Sequence, residues 1–211
     1  VVKAGVAVVD VKTGAIVALG GGRNIDKQDT YNYATEIERQ IGSTAKPVYD
    51  YAPAIEYLNW NTYTILADEP ISYSDGTSIN NWDGGFHGFE TMRAALTYSR
   101  NIPALKAFKL NDKAKILLFV TSLGLSPEVS GGTLHEAHAI GGYNGESPLK
   151  MAAAYAAFAN GGYYTKPYSF TKIEFTDGTY YDNVQVKTKV MSEETAFMVS
   201  SMLVDTAQYA L

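Results

Sequence analysis

The chain has 211 residues, of which 46% are hydrophobic and 18% charged, and its formal net charge at pH 7 is −5. This composition is typical of a folded globular protein and excludes a disordered one, and the acidic balance provides no clustered basic face for nucleic acid. The absence of cysteine excludes disulfides, thiolate metal sites and a cysteine nucleophile.

The N-terminal part of the sequence predicts a β-hairpin followed by a loop. Residues 6–9 and 15–19 are short runs of β-branched residues and alanine, and residues 10–14 between them have the composition of a turn. Residues 23–40 are polar and predict a loop that leads into the next element.

A helix is predicted to start at or just before Ser43, within the sequence Ile-Gly-Ser-Thr-Ala-Lys-Pro at residues 41–47. Proline is tolerated in a first helical turn, which suits Pro47, whereas Pro53 should kink the helix or end it early. The amphipathic spacing predicts one buried face, made of Val48, Tyr51, Ala52 and Ile55.

The spacing of Ser43 and Lys46 places a hydroxyl and an amine one turn apart on the same helical face. Serine is a poor nucleophile until a base removes its proton, and lysine can be that base where burial or a nearby positive charge lowers its pKa. The free N–H groups of a helix start would also favour negative charge near Ser43. The pattern S-x-x-K is nevertheless common, so its function depends on the rest of the chain.

The middle of the chain predicts a long surface loop and three helices. Residues 59–81 are rich in Asn, Thr, Ser, Asp and Gly, and loops of this length are usually functional. Helices are predicted over residues 91–97, 103–110 and 112–123, the last of which ends before a glycine.

The C-terminal part predicts two helices with a hairpin between them. Ser147 and Pro148 are a typical helix start, and the alanine-rich helix that follows, up to residue 159, should pack closely against its neighbours. Residues 170–175 and the chain from Tyr180 onward predict a hairpin with an Asp-Gly turn, and Ser192 should cap a last helix that reaches about Val204.

A second motif follows the first in a defined order. Ser99-Arg100-Asn101 is an S-x-N element that lies 56 residues after Ser43, at the break between two predicted helices. Together with residues 41–47, 81–84 (Asn-Trp-Asp-Gly), 96–104 and 151–162, it resembles the transpeptidase domain of class A, bifunctional penicillin-binding proteins. The resemblance runs from the first hairpin to the last helix.

This resemblance implies the fold and the reaction. The fold would be α+β (an α/β sandwich) of the penicillin-binding protein and serine β-lactamase type, with a helical subdomain and an incomplete antiparallel sheet, and residues 1–211 would be a partial transpeptidase domain. The activity would be D,D-transpeptidation in peptidoglycan synthesis, without cofactor or metal. Its partners would be peptidoglycan stem peptides and the β-lactam antibiotics that trap the acyl-enzyme.

The resemblance also implies the roles of single residues. Ser43 would attack the carbonyl between two terminal D-alanines, Lys46 would take its proton, and the Ser43 N–H would stabilise the oxyanion. Ser99 would relay a proton to the leaving group, and Asn101 would orient Lys46 and bind the substrate amide. The remaining expected substrate contacts are Trp82, Tyr98 and Arg100, although Arg100 could equally face solvent or support the backbone.

The third motif of the family, K-T-G, is expected on an edge strand after the last helix. The only K-T-G triplet in the chain, at residues 12–14, precedes Ser43 and lies in the predicted hairpin turn, while residues 187–189 (Lys-Thr-Lys) lack the glycine. We therefore expect the isolated chain to be catalytically impaired, and a second polypeptide is one candidate source of the strand. No run of about 18 apolar residues occurs, so a location at the extracytoplasmic face of the membrane would require an anchor outside this chain.

Three alternatives remain open from the residues. A serine β-lactamase or β-lactam sensor would need a group that activates water, for which the candidates are Glu128, Glu136 and Glu146. A non-enzymatic cell-wall-binding module would use the tyrosines, Trp82 and the Asn-rich loop. A metal site is suggested by His135-Glu136-Ala137-His138, but this is one residue short of the zincin pattern, and His87 has no evident ligand partner.

Overall fold

The structure, a computed structural model, describes residues 2–23 and 31–209. The elements up to residue 58 are β1 (Val6–Val9), β2 (Ile16–Gly20), a 3-10 turn (Gly42–Thr44), a π-helical segment (Lys46–Tyr51) and α1 (Ala52–Leu58). The middle of the chain forms β3 (Ile65–Asp68), β4 (Ile71–Ser72), β5 (Ser78–Ile79), β6 (Gly88–Thr91), α2 (Met92–Thr97), α3 (Asn101–Leu110) and α4 (Lys113–Ser122). A second 3-10 segment (Glu136–Ile140) then precedes α5 (Pro148–Ala159), β7 (Tyr163–Thr165), β8 (Lys172–Glu174), β9 (Tyr180–Asp182), β10 (Lys187–Lys189) and α6 (Glu193–Tyr209).

Within residues 2–23 and 31–209 the strands pair as antiparallel ribbons of two. The pairs are β1 with β2, β3 with β6, β4 with β5, β7 with β10, and β8 with β9. Helices supply most of the core, so the predicted α+β class is confirmed. The K-T-G triplet at residues 12–14 lies in the turn between β1 and β2, as its position predicted.

The segment that carries Lys46 forms the centre of the helical part. The predicted face of Val48, Tyr51, Ala52 and Ile55 is buried, but so is Tyr49 on another side. The π-helical segment packs against α2, α3, α4 and the 3-10 segment Glu136–Ile140, while α1 contacts α4 and α6. A helix surrounded by others in this way holds its side chains in a water-poor interior.

Two details of this helix differ from the prediction. It begins as a 3-10 turn and continues as a π-helix, in which the Ala52 N–H bonds to the Pro47 carbonyl five residues earlier. Pro53 does not end it, because the helix runs on to Leu58 and stops at Asn59, whose φ is +55°. Pro53 directly follows the wide turn, where the α-helical bonding pattern is already broken, so its missing N–H and its ring disturb the helix little.

Capping residues stabilise the starts of three helices. The side chains of Thr91, Asp112 and Ser147 accept hydrogen bonds from backbone N–H groups in the first turns of α2, α4 and α5, as their residue types predict. Three alanines of α5 are buried, and this helix packs closely on β1, β7 and α6. The last helix extends to Tyr209, five residues beyond its predicted end.

Some of the segments between the helices contain short strands. The long loop after α1 contains the short strands β3, β4 and β5, and the pairing of β10 with β7 was not predicted at all. Of the predicted loop over residues 23–40, residues 24–30 lie outside the described residues. Within the described ranges, no helix combines the length and the hydrophobicity that crossing a bilayer requires.

Candidate active site

Ser43 lies in a tight turn that is packed from behind. Gly42 before it has a φ of +56°, and a Cβ atom added to Gly141 would lie 2.3 Å from the Gly42 carbonyl oxygen. The Tyr155 hydroxyl donates a 2.8 Å hydrogen bond to the Thr44 carbonyl from α5. The turn is therefore fixed by two other parts of the chain, while Ser43 itself is exposed and reachable from solvent.

The amine of Lys46 is the meeting point of both sequence motifs. Lys46 is fully buried, and its Nζ lies 3.1 Å from Ser43 Oγ. The same Nζ is 2.7 Å from the Ser99 carbonyl oxygen, 3.0 Å from Ser99 Oγ and 2.8 Å from Asn101 Oδ1. Four polar atoms from the S-x-x-K turn and the S-x-N turn thus surround one nitrogen.

This set of neighbours fits an uncharged amine. The Ser99 carbonyl and Asn101 Oδ1 can only accept hydrogen bonds, so each needs one N–H from Lys46. A neutral amine has two N–H groups for them and a lone pair left for the Ser43 O–H. With the proton on the hydroxyl, Ser43 points its hydrogen at the group that would remove it.

Burial also favours the uncharged form of Lys46. Desolvation lowers the pKa of Lys46, Asp50 acts in the opposite direction, and the positive charge of Arg100 lowers the pKa again, so that it lies at about 8. Burial raises the pKa of Asp50, whose two carboxyl oxygens have no hydrogen-bond partner in the described part of the chain. A protonated Asp50 would raise the pKa of Lys46 less than a carboxylate, so the two buried groups favour each other's neutral forms.

The S-x-N turn has an unusual backbone that brings two side chains to Lys46. Ser99 has a φ of +53°, rare for a residue with a Cβ, and Arg100 returns to extended backbone before α3 starts at Asn101. The Asn101 Nδ2 donates a 2.8 Å hydrogen bond to the Asn80 carbonyl. Because that carbonyl can only accept, Asn101 must turn its Oδ1 to Lys46.

The sequence patterns gave no role to Asn81, which the structure places beside this turn. Asn81 is 4% exposed, and its Oδ1 accepts a 2.8 Å hydrogen bond from the Asn101 N–H. One signal could have found it. Arg100 precedes α3 but is not a capping residue, so the helix start needs an acceptor from elsewhere, and a polar loop rich in Asn comes earlier in the chain.

The three expected substrate contacts lie in different environments. Trp82 is 72% exposed and donates from Nε1 to the Tyr98 carbonyl at 3.0 Å, and Tyr98 is half exposed, so both rings border the S-x-N turn. Arg100 instead is 6% exposed, and its guanidinium bonds to Asp83 Oδ2 at 2.5 Å. The idea that Arg100 faces solvent is wrong, because its side chain is buried and supports the loop of Asp83, and its contact with substrate stays a prediction.

The alternative glutamates are occupied elsewhere. Glu146 is buried, accepts from the Ser126 N–H and pairs with Lys150 at 3.0 Å. Glu136 accepts from the backbone and side chain of Ser74, and Glu128 is exposed. None of the hydrogen bonds within residues 2–23 and 31–209 joins these carboxylates to Ser43.

The three histidines lie apart from one another or contact backbone groups. His135 lies just before the 3-10 segment and His138 lies within it, where His138 Nδ1 contacts the His135 backbone. His87 lies elsewhere, with its Nε2 3.2 Å from Asp83 Oδ2. Among the residues that the structure describes, no group of three or more His, Cys, Asp or Glu side chains could hold a metal ion.

Comparison with known proteins identifies a family for nearly the whole chain. Residues 4–210 match the sequence model described as "Penicillin binding protein transpeptidase domain". The chain is 44% identical over 202 residues to "Penicillin-binding protein 1A/1B" of Bacillus subtilis, an alignment that covers 94% of this chain and 22% of that protein. It is 38% identical over 213 residues to "Penicillin-binding protein 1A" of Streptococcus pneumoniae, with 96% of this chain and 29% of that protein covered.

Solved structures agree with the sequence comparison. The crystal structure of penicillin-binding protein 1A from Haemophilus influenzae has a TM-score of 0.80 and 26% identity, over 97% of this chain and 35% of that one. Penicillin-binding protein A from M. tuberculosis, solved as an imipenem acyl-enzyme complex, has a TM-score of 0.84 at 18% identity, over 99% of this chain and 58% of that one, which shows a shared fold. The chain spans about a quarter of the length of the two curated relatives.

Proposed function

Because the chain belongs to the penicillin-binding protein transpeptidase family, we propose that the protein is a serine D,D-transpeptidase that crosslinks peptidoglycan stem peptides and is acylated by β-lactams. The observation that carries this proposal is the contact of 3.1 Å between Ser43 Oγ and a buried Lys46 Nζ that Asn101 also reaches. We further propose that residues 1–211 form part of the transpeptidase domain, and that the site faces outward at the cell membrane.

In the first half-reaction Ser43 Oγ attacks the carbonyl carbon between two terminal D-alanines. Its proton passes to the lone pair of Lys46, which the lowered pKa keeps available at neutral to slightly alkaline pH. The N–H of Ser43 is one donor for the oxyanion of the tetrahedral intermediate, and loss of such a donor typically costs about 10²-fold or more in rate.

The intermediate collapses when the C–N bond to the last D-alanine breaks. Its nitrogen needs a proton, and Ser99 Oγ, 3.0 Å from Lys46 Nζ, is placed to pass one on from the protonated lysine. In the second half-reaction an amine of a neighbouring strand attacks the ester, the C–O bond to Ser43 breaks, and a proton passes from that amine through Lys46 to Ser43 Oγ. Each proton that Lys46 takes up is thereby returned.

The substrate must also be held on the outer side of the site. Trp82 and Tyr98 are exposed beside the S-x-N turn and are suited to pack against an extended peptide. The carboxylate end of the peptide would be bound by a K-T-G strand, for which residues 12–14 do not serve because they form the β1–β2 turn. We propose that another segment of the protein or a second polypeptide supplies this strand.

The alternative functions have less support. Hydrolysis of a β-lactam ester needs a group that activates water, and the buried Glu146 is already engaged by Ser126 and Lys150. A wall-binding module without chemistry would give no reason to bury an amine against a serine hydroxyl at a cost in desolvation.

Labelling with a fluorescent penicillin tests the proposal. The full-length protein should become covalently labelled, S43A should not, and S130A, a matched change in an exposed loop, should label like the wild type. Labelling of S43A would refute the role of Ser43. Rapid release of the label would favour a β-lactamase, and strong labelling of residues 1–211 alone would contradict the need for a further strand.

A further inference from the structure

Helix α3, which begins with the catalytic candidate Asn101, has no cap of its own. The N-cap residue Arg100 makes no side-chain hydrogen bond to the first turn. The N–H groups of Asn101 and Ile102 instead point at Asn81 Oδ1, at 2.8 and 3.4 Å. A side chain from 20 residues earlier in the chain therefore supplies the acceptor that a helix start requires.

The amide of Asn81 is oriented by a buried carboxylate. Its Nδ2 lies 2.7 and 2.9 Å from the two oxygens of Asp68 and 2.8 Å from the Gly85 carbonyl oxygen. All of these atoms can only accept from an amide, so the Oδ1 of Asn81 must face α3. Asp68 is 1% exposed at the end of β3, and hydrogen bonds to a carboxylate in such a water-poor place are strong.

Asp68 is itself fixed by the ribbon that carries it. It pairs with Gly88 in the β3–β6 ribbon, and its Oδ2 accepts a 3.0 Å hydrogen bond from the His87 N–H. The neighbouring residue Asn80 receives the side chain of Asn101 on its carbonyl. Asn80 and Asn81 together thus hold both the backbone and the amide of Asn101, and Asn101 Oδ1 in turn contacts Lys46.

We propose that Asn81, held by Asp68, is a positioning residue of the reaction, which fixes the S-x-N turn so that Asn101 keeps the Lys46 amine directed at Ser43. This inference rests on the proposed function. It assigns to the β3–β6 ribbon and to the loop after β5 a part in catalysis, although neither bonds to Lys46 directly. A displacement of about 1 Å at a reacting group can cost about 10²-fold in rate, so loss of this support should lower the rate constant of acylation.

Four variants of the full-length protein test this inference: N81A, N81D, D68N and the exchanged pair D68N/N81D. In N81D two carboxylates face each other at the distance of a hydrogen bond, which is unfavourable. In the exchanged pair the carboxylate at position 81 would accept from the Asn101 N–H, while the amide at position 68 would donate to that carboxylate and accept from the His87 N–H. N183A is the matched control, since Asn183 bonds to the Phe170 carbonyl at an exposed site outside this network.

Penicillin acylation is measured as two constants, the dissociation constant of the reversible complex and the rate constant of acylation. We expect N81A and N81D to lower the rate constant by about 10²-fold while the dissociation constant changes little, and D68N/N81D to regain at least about tenfold. N183A should react like the wild type. Acylation of N81A and N81D at the wild-type rate, or an exchanged pair no faster than N81D, would overturn the proposal.

Hydrogen exchange of the Asn101 amide separates this inference from the proposed function. The amide should be protected in the wild type, exposed in N81A and protected again in D68N/N81D, whether or not penicillin reacts. A wild type that is never acylated but shows this pattern would refute the proposed function and leave the positioning contact standing. An Asn101 amide that exchanges freely in the folded wild type would refute the positioning contact itself.

Discussion

The site around Lys46 and the β8–β9 hairpin use similar residue types in opposite environments. Lys46 is fully buried with four polar atoms around its amine, whereas the Lys172 side chain is 43% exposed and pairs with Glu174 beside the Tyr180 ring. Every residue of β8 and β9 is exposed. Burial therefore decides what the Lys46 amine can do, because desolvation favours the loss of its charge near neutral pH.

The largest effect should follow from removing the base. We expect K46A and K46R to lower the rate of penicillin acylation by about 10³-fold, since a general base contributes about 10² to 10⁴-fold and arginine keeps its proton. K172A and K172R, the same changes in the hairpin, should leave the rate unchanged. Stopped-flow acylation measures both pairs. A K46R protein that reacts like the wild type would contradict the role of Lys46 as a base.

The pH dependence of acylation should show the same contrast. Only the neutral amine of Lys46 can take the proton, and its pKa is lowered to about 8, so the rate should rise with pH and level off above that value. At pH 6 the rate should be about 100-fold below the plateau, because each pH unit below the pKa costs tenfold. Rates measured between pH 6 and 9.5 test this. A profile that is flat across pH 8 would mean that Lys46 does not control the reaction.

Asp50 and Asp177 extend the comparison to carboxyl groups. Burial raises the pKa of Asp50 above its ordinary 3.8, so its contribution to stability is present below that pH and is lost as pH rises through the folded value. Hydrogen bonds from Thr179 lower the pKa of Asp177, so its contribution is present above pH 3.8 and is lost as pH falls. The two groups should therefore respond to pH with opposite signs.

Substitution by asparagine tests these signs. D50N does not titrate, so its stability relative to the wild type should improve between pH 4.5 and 8, by about 1 kcal/mol for an unpaired buried group. D177N should weaken the hairpin turn at pH 8 and have less effect at pH 3. Urea unfolding at each pH gives both differences. A D50N protein whose relative stability falls as pH rises would show that Asp50 is charged and paired in the fold.

The sequence predicted the parts of the molecule that depend on local pattern. The cap at Ser147 predicted the start of α5 correctly, and the spacing of Ser43 and Lys46 predicted two groups on one face. The bonding register of the π-helical segment leaves no pattern in the residues, which is why an early helix end at Pro53 was one of the expected outcomes and did not occur. Contacts between distant residues were equally hidden.

The contacts that support the site also join residues that are distant in the sequence. The cap on α3 comes from a side chain 20 residues earlier, and β10 pairs with a strand more than twenty residues before it, so neither follows from neighbouring sequence. The S-x-N motif predicted that Asn101 would reach the site but not what would hold it there. The ion pair of Arg100 was hidden for the same reason, because its partner Asp83 lies in a different loop.

The smallest effect is expected for an apolar residue at the end of the hairpin. Val184 is 79% exposed, so V184A removes few packing contacts and should change the free energy of unfolding by less than about 0.5 kcal/mol. V48A is the matched change in the fully buried segment and should cost about 2 kcal/mol, since it leaves a cavity in the core. Both are measured by urea unfolding of the full-length protein. A loss of stability at V184A as large as that at V48A would mean that Val184 is buried in the full-length protein. The hairpin and the site around Lys46 would then not differ in burial.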